Sequence, residues 1–192
     1  MNEAQPDDAA LVAATLAGDA SAERALVERY RDALYRLARS ATGDPQEALD
    51  ITQEAFVAAF GALRRYDPAR PLGAWLAAIT LNKCRDWARR RKVRRWLGLP
   101  MPDGVEHWIA ADAPLPDQTA ADRAELAATA RAIADLPPNL KDVLLLRTLE
   151  GFSQSETAAV LGISEKAVET RLYRARSKLS ELLANEGGRK KL

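Results

Sequence analysis

The sequence predicts an all-α protein in which two small helical domains are joined by an extended linker. Alanine, leucine, arginine and glutamate are frequent, and these residues lose little side-chain freedom in a helix. Helix start and stop signals recur on both sides of residues 98–121, a stretch that holds four of the ten prolines and shows no sustained hydrophobic period. We therefore expect one domain at 1–97, the linker at 98–121, a second domain at 122–184 and a short basic tail at 185–192.

The first domain is expected to contain two consecutive helices on either side of Gly43. An apolar stripe at helical spacing marks the earlier helix, which should end near this glycine. Asp44, Pro45 and Glu47 then supply an N-cap acid, a proline at the first helical position and a capping-box glutamate. The later helix should therefore run from Asp44 to about Leu63. The stripe of the earlier helix consists of Leu26, Tyr30, Leu34 and Leu37.

The helix that begins at Asp44 has a polar face beside an aromatic one. Asp50 lies three and four residues before Gln53 and Glu54, so all three side chains share one face. Phe56 and Phe60 line another face. Such a polar face can dock on another protein, and from spacing alone a solvated face over a core stripe explains it equally well.

A long basic helix is expected next, over about 71–96. The segment before it contains two prolines and cannot continue the preceding helix. Aromatic residues interleaved with cations suit unstacked bases, because rings stack on bases while arginines follow the phosphates. We assign Trp75 to the core and leave Trp87 open between core and base stacking.

The net charge of +1 conceals a segregation of charge along the chain. Seven basic residues and one acid fall between Arg85 and Arg95, whereas Leu99 to Asp122 contains five acids and no lysine or arginine. Because phosphate binding depends on local positive potential, the near-neutral total does not exclude a nucleic-acid partner.

The residues offer little for catalysis or metal binding. The single cysteine, Cys84, cannot form an intramolecular disulfide, and with the single His107 it cannot supply the four ligands of a usual zinc site. We expect Cys84 to be a small, partly buried helix residue. No phosphate-binding loop or nucleophile and base pair is recognisable, so neither enzyme activity nor a cofactor is expected.

A cytoplasmic location without membrane insertion is also expected. The N-terminal residues include acids where a secretion signal needs basic residues. No apolar run in the sequence approaches the length that a membrane-spanning helix requires.

The second domain should contain helices over about 122–136 and 139–150, followed by a helical pair in 152–179. Pro137 and Pro138 separate the first two helices. The pair has the sequence FSQSETAAVLGISEKAVETRLYRARSKL.

This helical pair carries the signals of a helix-turn-helix. Ser153 and Glu156 form a capping box, Gly162 can adopt the positive φ of a tight turn, and Ser164 can cap the second helix. The pattern buries one face of the pair, and the residues expected on that face are Ala158, Ile163, Val168 and Leu172.

A supported helix of this kind can read the major groove, with later cations on phosphates. Arg171 and Arg174 are the strongest candidates, because a guanidinium group can pair bidentately with guanine. Glu165 and Glu169 place acids on the same face, so binding by this module alone should be weak. The alternative is an ordinary helical hairpin with a solvated charged face.

Three blocks of the sequence together resemble a known family. ALDITQEAFVAAF, RRYDPARPLGAWLAAITLNKCRDWARRRK and LKDVLLLRTLEGFSQSETAAVLGISEKAVETRLYRARSKL, in this order, resemble regions 2 and 4 of bacterial RNA polymerase sigma factors. The small two-domain size is similar to that of the extracytoplasmic-function group. The resemblance covers about 20–97 and 125–184 and implies a region 2 helical bundle and a region 4 helix-turn-helix.

The resemblance implies three sets of contact residues. The polymerase set, which would dock on core RNA polymerase, is Asp50, Gln53 and Glu54. The minus-ten set, which would hold the melted promoter strand, is Asn82, Lys83, Arg85, Arg89 and Arg90. The minus-thirty-five set, which would read duplex promoter DNA, is Ser164, Glu165, Lys166, Thr170, Arg171, Arg174 and Lys178.

The resemblance also implies a role and partners. The protein would direct core RNA polymerase to promoter DNA and help melt it, without a small-molecule substrate. An anti-sigma protein would hold it inactive, in some cases at the membrane. Val143, Leu144 and Leu146 would contact the polymerase flap. Thr157 stands where the family usually has an aliphatic residue.

Two other functions compete with this one. The chain could be a stand-alone helix-turn-helix regulator that dimerises through residues 1–97 and binds a palindromic site. It could also be a helical adaptor whose charges serve only solvation.

Overall fold

The computed structural model describes residues 7–97 and 120–189, with side chains at 7–97 and 125–184. Every regular element in these ranges is helical, which confirms the all-α prediction. The proposed linker, including Trp108, and the end of the basic tail lie outside the described residues. The helices are α1 (Asp8–Leu16), α2 (Ala20–Thr42), α3 (Pro45–Ala62), α4 (Leu72–Trp96), α5 (Ala120–Ala134), α6 (Pro138–Thr148), α7 (Gln154–Leu161) and α8 (Glu165–Arg189), with a short 3₁₀ turn at Leu63–Arg65.

The α2–α3 junction forms where its capping residues predict. Gly43 ends α2 with a φ of 72°, a left-handed conformation that favours glycine. Asp44 then caps α3, its Oδ1 accepting hydrogen bonds from the amides of Gln46 at 2.9 Å and Glu47 at 3.2 Å. The helix occupies Pro45–Ala62, one residue inside each predicted end.

Helices α1 to α4 pack around an apolar core that contains Leu26, Leu34 and Phe56. The Phe56 and Phe60 rings stack with centroids 5.9 Å apart, so the aromatic face predicted on α3 points inward. Trp75 packs against the same core with its ring 5.3 Å from that of Tyr66, which confirms its predicted core role.

Helices α5 to α8 form the second set, which contains the predicted helix-turn-helix. Ala158 of α7 packs with Val143 of α6 and Val168 of α8, and Gly162 makes the turn with a φ of 64°. Ile163 and Leu172 pack against the same cluster. The side chains that the sequence assigned to the buried face therefore lie there.

The flap prediction is wrong for Val143 and Leu144. Val143 is fully buried against Ala158 and Val168, and Leu144 is buried against Leu136 and Ala175. Both side chains belong to the core of the C-terminal helices, because the apolar run on α6 is covered on several sides. Leu146 is fully buried as well.

The two helical sets share a third apolar cluster, called here the shared cluster. The sets approach closely at Gly43, where a Cβ would lie 3.2 Å from the Cβ of Ala134. Val160 of α7 packs against the shared cluster. The described halves of the chain are therefore in direct apolar contact. The buried members of the shared cluster are Leu37, Ala38, Ala41, Ala48, Ile51, Ala77, Leu81, Cys84, Leu145 and Leu146.

Candidate polymerase and nucleic-acid interfaces

The polymerase set lies on the solvent side of α3. Asp50, Gln53 and Glu54 are all exposed, and the opposite face of the helix is buried. Asp50 has no hydrogen-bond or ion-pair partner among the described residues. Glu54 forms an ion pair with Lys83, with Oε2 and Nζ 3.3 Å apart.

Two exposed apolar side chains extend this face, and sequence reasoning missed them. Leu49 is 47% exposed and Val57 is 74% exposed. With Gln53 between them they repeat at four-residue spacing, so they lie on one strip of the helix beside Asp50 and Glu54. Exposed apolar area gains free energy when a partner covers it, so this strip is a candidate protein interface. The four-residue repeat was the signal in the sequence.

The minus-ten set lies along the middle of α4. Its side chains differ in their exposure and in whether they pair with other side chains of the protein. Lys83 is the partner of Glu54, and Arg89 forms an ion pair with Asp86 one turn earlier. Arg90 is exposed. Asn82 is exposed, but its Oδ1 accepts a hydrogen bond from Arg85 Nη1 at 2.8 Å.

Arg85 is held by a carboxylate from the other helical set. Its Nε and Nη2 lie 2.7 and 2.6 Å from Oδ2 of Asp142 on α6. Asp142 is only 5% exposed. Burial raises the pKa of Asp142, whereas the nearby Arg85, Lys141 and Arg171 charges lower it. Sequence reasoning missed Asp142, although an acid next to the apolar run VLLL was a visible signal.

The neighbours of Asp142 also join the two sets. The Lys141 Nζ donates to the carbonyl oxygens of Ala41 on α2, at 2.9 Å, and of Ala134 on α5. Burial lowers the pKa of Lys141, opposed by Asp142. Cys84, predicted to be partly buried, is buried, and burial beside Asp142 raises the pKa of its thiol to about 12. At neutral pH the thiol is therefore protonated, which suits packing and not nucleophilic chemistry.

The tryptophans of α4 have different roles. Trp87 packs against the shared cluster, with the Arg91 guanidinium carbon 5.1 Å from its ring centroid. This cation–π contact and the half-buried position favour a packing role for Trp87 over base stacking. Trp96, at the end of α4, is 84% exposed among Arg94 and Arg95.

The minus-thirty-five set begins at the turn before α8. Ser164 Oγ accepts from the amide of Ala167 at 3.2 Å, which is the predicted N-cap. Gln154 Nε2 of α7 donates to the carbonyl oxygen of Glu165 at 3.1 Å, fixing the start of α8 against its supporting helix. Thr170 is exposed and donates back to the Lys166 carbonyl oxygen.

The charged side chains of α8 differ in their ion pairing and in their exposure to solvent. Lys166 pairs with Glu169 at 2.9 Å, and Lys178 pairs with Glu181 at 2.8 Å. Arg174 is exposed, whereas Arg171 is half-buried. Tyr173 is 76% exposed beside Arg174, and sequence reasoning missed it.

The described ranges contain neither a membrane-spanning helix nor a metal-binding cluster. None of the helices there combines the length and apolar character that crossing a membrane requires. Within the same ranges, no group of three or more histidine, cysteine or acidic side chains could hold a metal ion.

Comparison with known proteins gives a consistent result along the chain. Residues 26–94 match the family described as Sigma-70 region 2, and residues 126–179 match Sigma-70, region 4. RNA polymerase sigma factor CnrH of Cupriavidus metallidurans is 43% identical over 187 residues, which cover 93% of this chain and 96% of CnrH.

Two further relatives and one solved structure support the same assignment. NccH of Alcaligenes xylosoxydans is 37% identical over 92% of this chain and 94% of its own length. The extracytoplasmic-function (ECF) sigma factor SigM of Mycobacterium tuberculosis is 34% identical over 92% and 84%. The structure of CnrH in complex with the cytosolic domain of CnrY superposes with a TM-score of 0.67 at 37% identity, covering 93% of this chain and 97% of that chain. The chain therefore belongs to the sigma-70 family of RNA polymerase sigma factors, in the extracytoplasmic-function group.

Proposed function

We propose that this protein is a transcription initiation factor that binds core RNA polymerase and directs it to promoters by recognising their minus-ten and minus-thirty-five elements. One observation carries the proposal: an exposed docking strip on α3 and cationic faces on α4 and α8 occur in a chain whose halves match regions 2 and 4. The protein has no catalytic role of its own in this proposal. We also propose the functional division 1–97, 98–121, 122–184 and 185–192.

The α3 strip is the proposed polymerase contact. Asp50 and Glu54 supply carboxylates that can meet cations on the polymerase, while Leu49 and Val57 supply apolar area. Acids at the rim fix orientation and raise the association rate, and covered apolar side chains add affinity.

The α4 face is the proposed contact for the melted minus-ten strand. Lys83, Arg89 and Arg90 can follow its phosphates, and Asn82 can hydrogen-bond a base edge. The exposed ring of Trp96, surrounded by cations, extends this set as a stacking surface for an unpaired base.

The α8 face is the proposed reader of the duplex minus-thirty-five element. Its N-terminal residues, which begin after Ser164, can meet base edges, and Arg174 and Lys178 can grip phosphates or guanine. Glu165 and Glu169 weaken this contact. Weak DNA binding by α8 suffices when polymerase tethers both domains. Once one domain is bound to the promoter, binding of the other domain becomes effectively intramolecular.

An anti-sigma protein is the proposed regulatory partner. CnrH, which is 43% identical to this chain, has been solved in complex with the cytosolic domain of CnrY. The likeness over 93% of the chain supports a similar partner here, and a cytoplasmic site of action where polymerase and DNA are present.

The proposal is tested by reconstituted transcription. Purified protein would be added to core RNA polymerase of Cupriavidus metallidurans and genomic DNA of the bacterium that encodes the chain, and the transcript starts would be mapped. We expect a discrete set of starts that share two upstream elements. Absence of both core binding and new starts would overturn the proposal. Tight binding to a palindromic duplex without polymerase would instead support a dimeric regulator.

A further inference from the structure

A cleft of about 830 Å³ opens between α4 and the first residue of α6. Its α4 wall carries a row of polar side chains, and Pro138 lines the α6 side. Because the members of the row are spaced three and four residues apart, they share one face of α4. The volume lies within the roughly 300–1,000 Å³ that is usual for small-molecule sites. The members of the row are Asn82, Arg85, Arg89 and Lys92.

The lining of this cleft is positively charged, since its described residues include three cations and one carboxylate, that of Asp86. Asp142 balances the charge of Arg85, from beneath α4. Asp86 balances the charge of Arg89. Lys92 is exposed and has no hydrogen-bond or ion-pair partner among the described residues. The cleft therefore favours an anion, with Lys92 as its uncompensated cation.

Other members of the row also keep donors for such an anion. The Oδ1 of Asn82 accepts from Arg85 Nη1 at 2.8 Å, so the Asn82 amide group is left to donate. Arg89 contacts Asp86 through Nη2, so its Nε and Nη1 remain for a ligand. A phosphate group has three acceptor oxygens, so it fits several charged donors better than a carboxylate does.

The length of the row selects a ligand with more than one anionic group. Asn82 and Lys92 are separated by about 15 Å along the helix axis, so a single phosphate group cannot reach both ends. Ala88, in the middle of the row, and Pro138 on α6 supply apolar area where a base can lie. A nucleotide with several phosphates meets both requirements.

We propose that this cleft binds a small ligand with two or more phosphate groups, such as a nucleoside polyphosphate, and that the bound ligand competes with the melted promoter strand. The competition rests on the proposed function, because Asn82 and Arg89 belong to the minus-ten set. Lys92 and Pro138 do not belong to that set, so the ligand site and the strand site overlap without being identical.

Isothermal titration calorimetry on the full-length free protein tests the ligand site. The probes are ATP, tripolyphosphate and adenosine, in buffer without magnesium so that the phosphates keep their full charge. We expect saturable binding of ATP and tripolyphosphate. Adenosine should bind at least about ten-fold more weakly than ATP, because it lacks the charge-assisted hydrogen bonds.

Three variants test whether the ligand lies in the cleft. Lys92→Glu reverses the uncompensated charge and should weaken ATP binding about ten-fold or more. Arg94→Glu is the matched control, because Arg94 is exposed on α4 but lies outside the cleft, about 200° around the helix from Lys92. It should bind ATP nearly as tightly as the unmodified protein. Ala88→Phe leaves the charge unchanged and fills the cleft, so it should also weaken ATP binding.

Displacement of a nucleic-acid strand tests the competition. The probe is a fluorescein-labelled strand of about 20 thymidines at low salt. ATP should displace it from the unmodified protein and from Arg94→Glu. The inhibition constant of ATP should be about ten-fold higher or more for Lys92→Glu than for Arg94→Glu, because the ligand loses a charged contact. Circular dichroism would check that each variant keeps its helices.

The outcomes separate this inference from the proposed function. If ATP does not bind at millimolar concentration, or binds Lys92→Glu and Ala88→Phe as tightly as Arg94→Glu, the ligand site is overturned. Equal binding of adenosine and ATP would overturn recognition of the phosphates, and binding of ATP without displacement of the strand would overturn the competition. If ATP binds as expected but the protein neither binds core polymerase nor starts transcription, the ligand site stands and the proposed function fails.

Discussion

The Thr157 side chain is fully buried, and its Oγ1 has no hydrogen-bond partner among the described residues. A buried hydroxyl without a partner loses its hydration without replacement. Thr157→Val removes the hydroxyl and keeps the branched shape, so we expect the free energy of unfolding to rise by about 1 kcal/mol. Thermal and denaturant unfolding would measure it.

Thr80 provides the matched control for this substitution. It is equally buried, but its Oγ1 donates to the Leu76 carbonyl oxygen at 3.0 Å. Thr80→Val should therefore be less favourable than Thr157→Val by about 1 kcal/mol. Equal effects of the two substitutions on the free energy of unfolding would mean that the Thr157 hydroxyl has a hydrogen-bond partner in solution.

Arg174 is the exposed arginine of the minus-thirty-five set. Arg174→Ala should lower transcription from the mapped promoters and weaken duplex binding about ten-fold or more, because a guanidinium contact to a base or phosphate is lost. Arg176→Ala is the control, since Arg176 is also exposed but lies about 200° around α8 from Arg174. A comparable loss of duplex binding and transcription in both variants would argue against DNA recognition by one particular face of α8.

Residue positions were predictable from the sequence where a local pattern decides them. Helical spacing alone places Asp50, Gln53 and Glu54 on one face, and a cap needs only the few residues around Ser164. The half-buried state of Arg171 and the pairing of Arg85 were not predictable, because both depend on Asp142, which is 57 residues from Arg85 along the chain.

The exposed strip on α3 gives a prediction for that helix. Val57→Asp should weaken core polymerase binding at least about ten-fold, while the free energy of unfolding changes by less than about 0.5 kcal/mol because the side chain is exposed. Leu16→Asp on α1, which is 43% exposed, is the control and should leave core binding unchanged. Competition for core polymerase with unmodified protein would measure the affinities.

Helix boundaries were predicted closely because their signals are local. The proline at position 45, the capping box at Ser153 and the turn at Gly162 all act over a few residues. Roles that depend on tertiary contacts were harder to predict. The apolar run of α6 was interpreted as a polymerase contact at Val143 and Leu144. Buried and protein-binding apolar residues look alike in a sequence until their neighbours are known.

At the scale of the whole molecule, the shared cluster should couple the stability of the two helical sets. Leu145→Ala removes a buried member of that cluster, so we expect a loss of about 2–5 kcal/mol in the free energy of unfolding. Amide hydrogen exchange should accelerate in α2 as well as in α6. Leu136 is the control, because its cluster contains only C-terminal residues, so Leu136→Ala should accelerate exchange mainly in α5 to α8.

The contact between the halves was beyond the reach of sequence reasoning. Leu145 and Leu146 fit equally well as core residues of their own domain, and the near-neutral charge says nothing about which surfaces meet. If Leu145→Ala accelerates exchange only in its own half, the two sets are energetically independent.

The ion pair of Glu54 with Lys83 links the exposed strip of α3, the proposed polymerase contact, to α4, the proposed contact for the melted strand. A polymerase cation that engages Glu54 leaves Lys83 without its counter-ion. Because a DNA phosphate can replace that carboxylate, the same lysine then favours a nucleic-acid strand. We therefore expect assembly to have a preferred order, with polymerase joining first and the melted strand second.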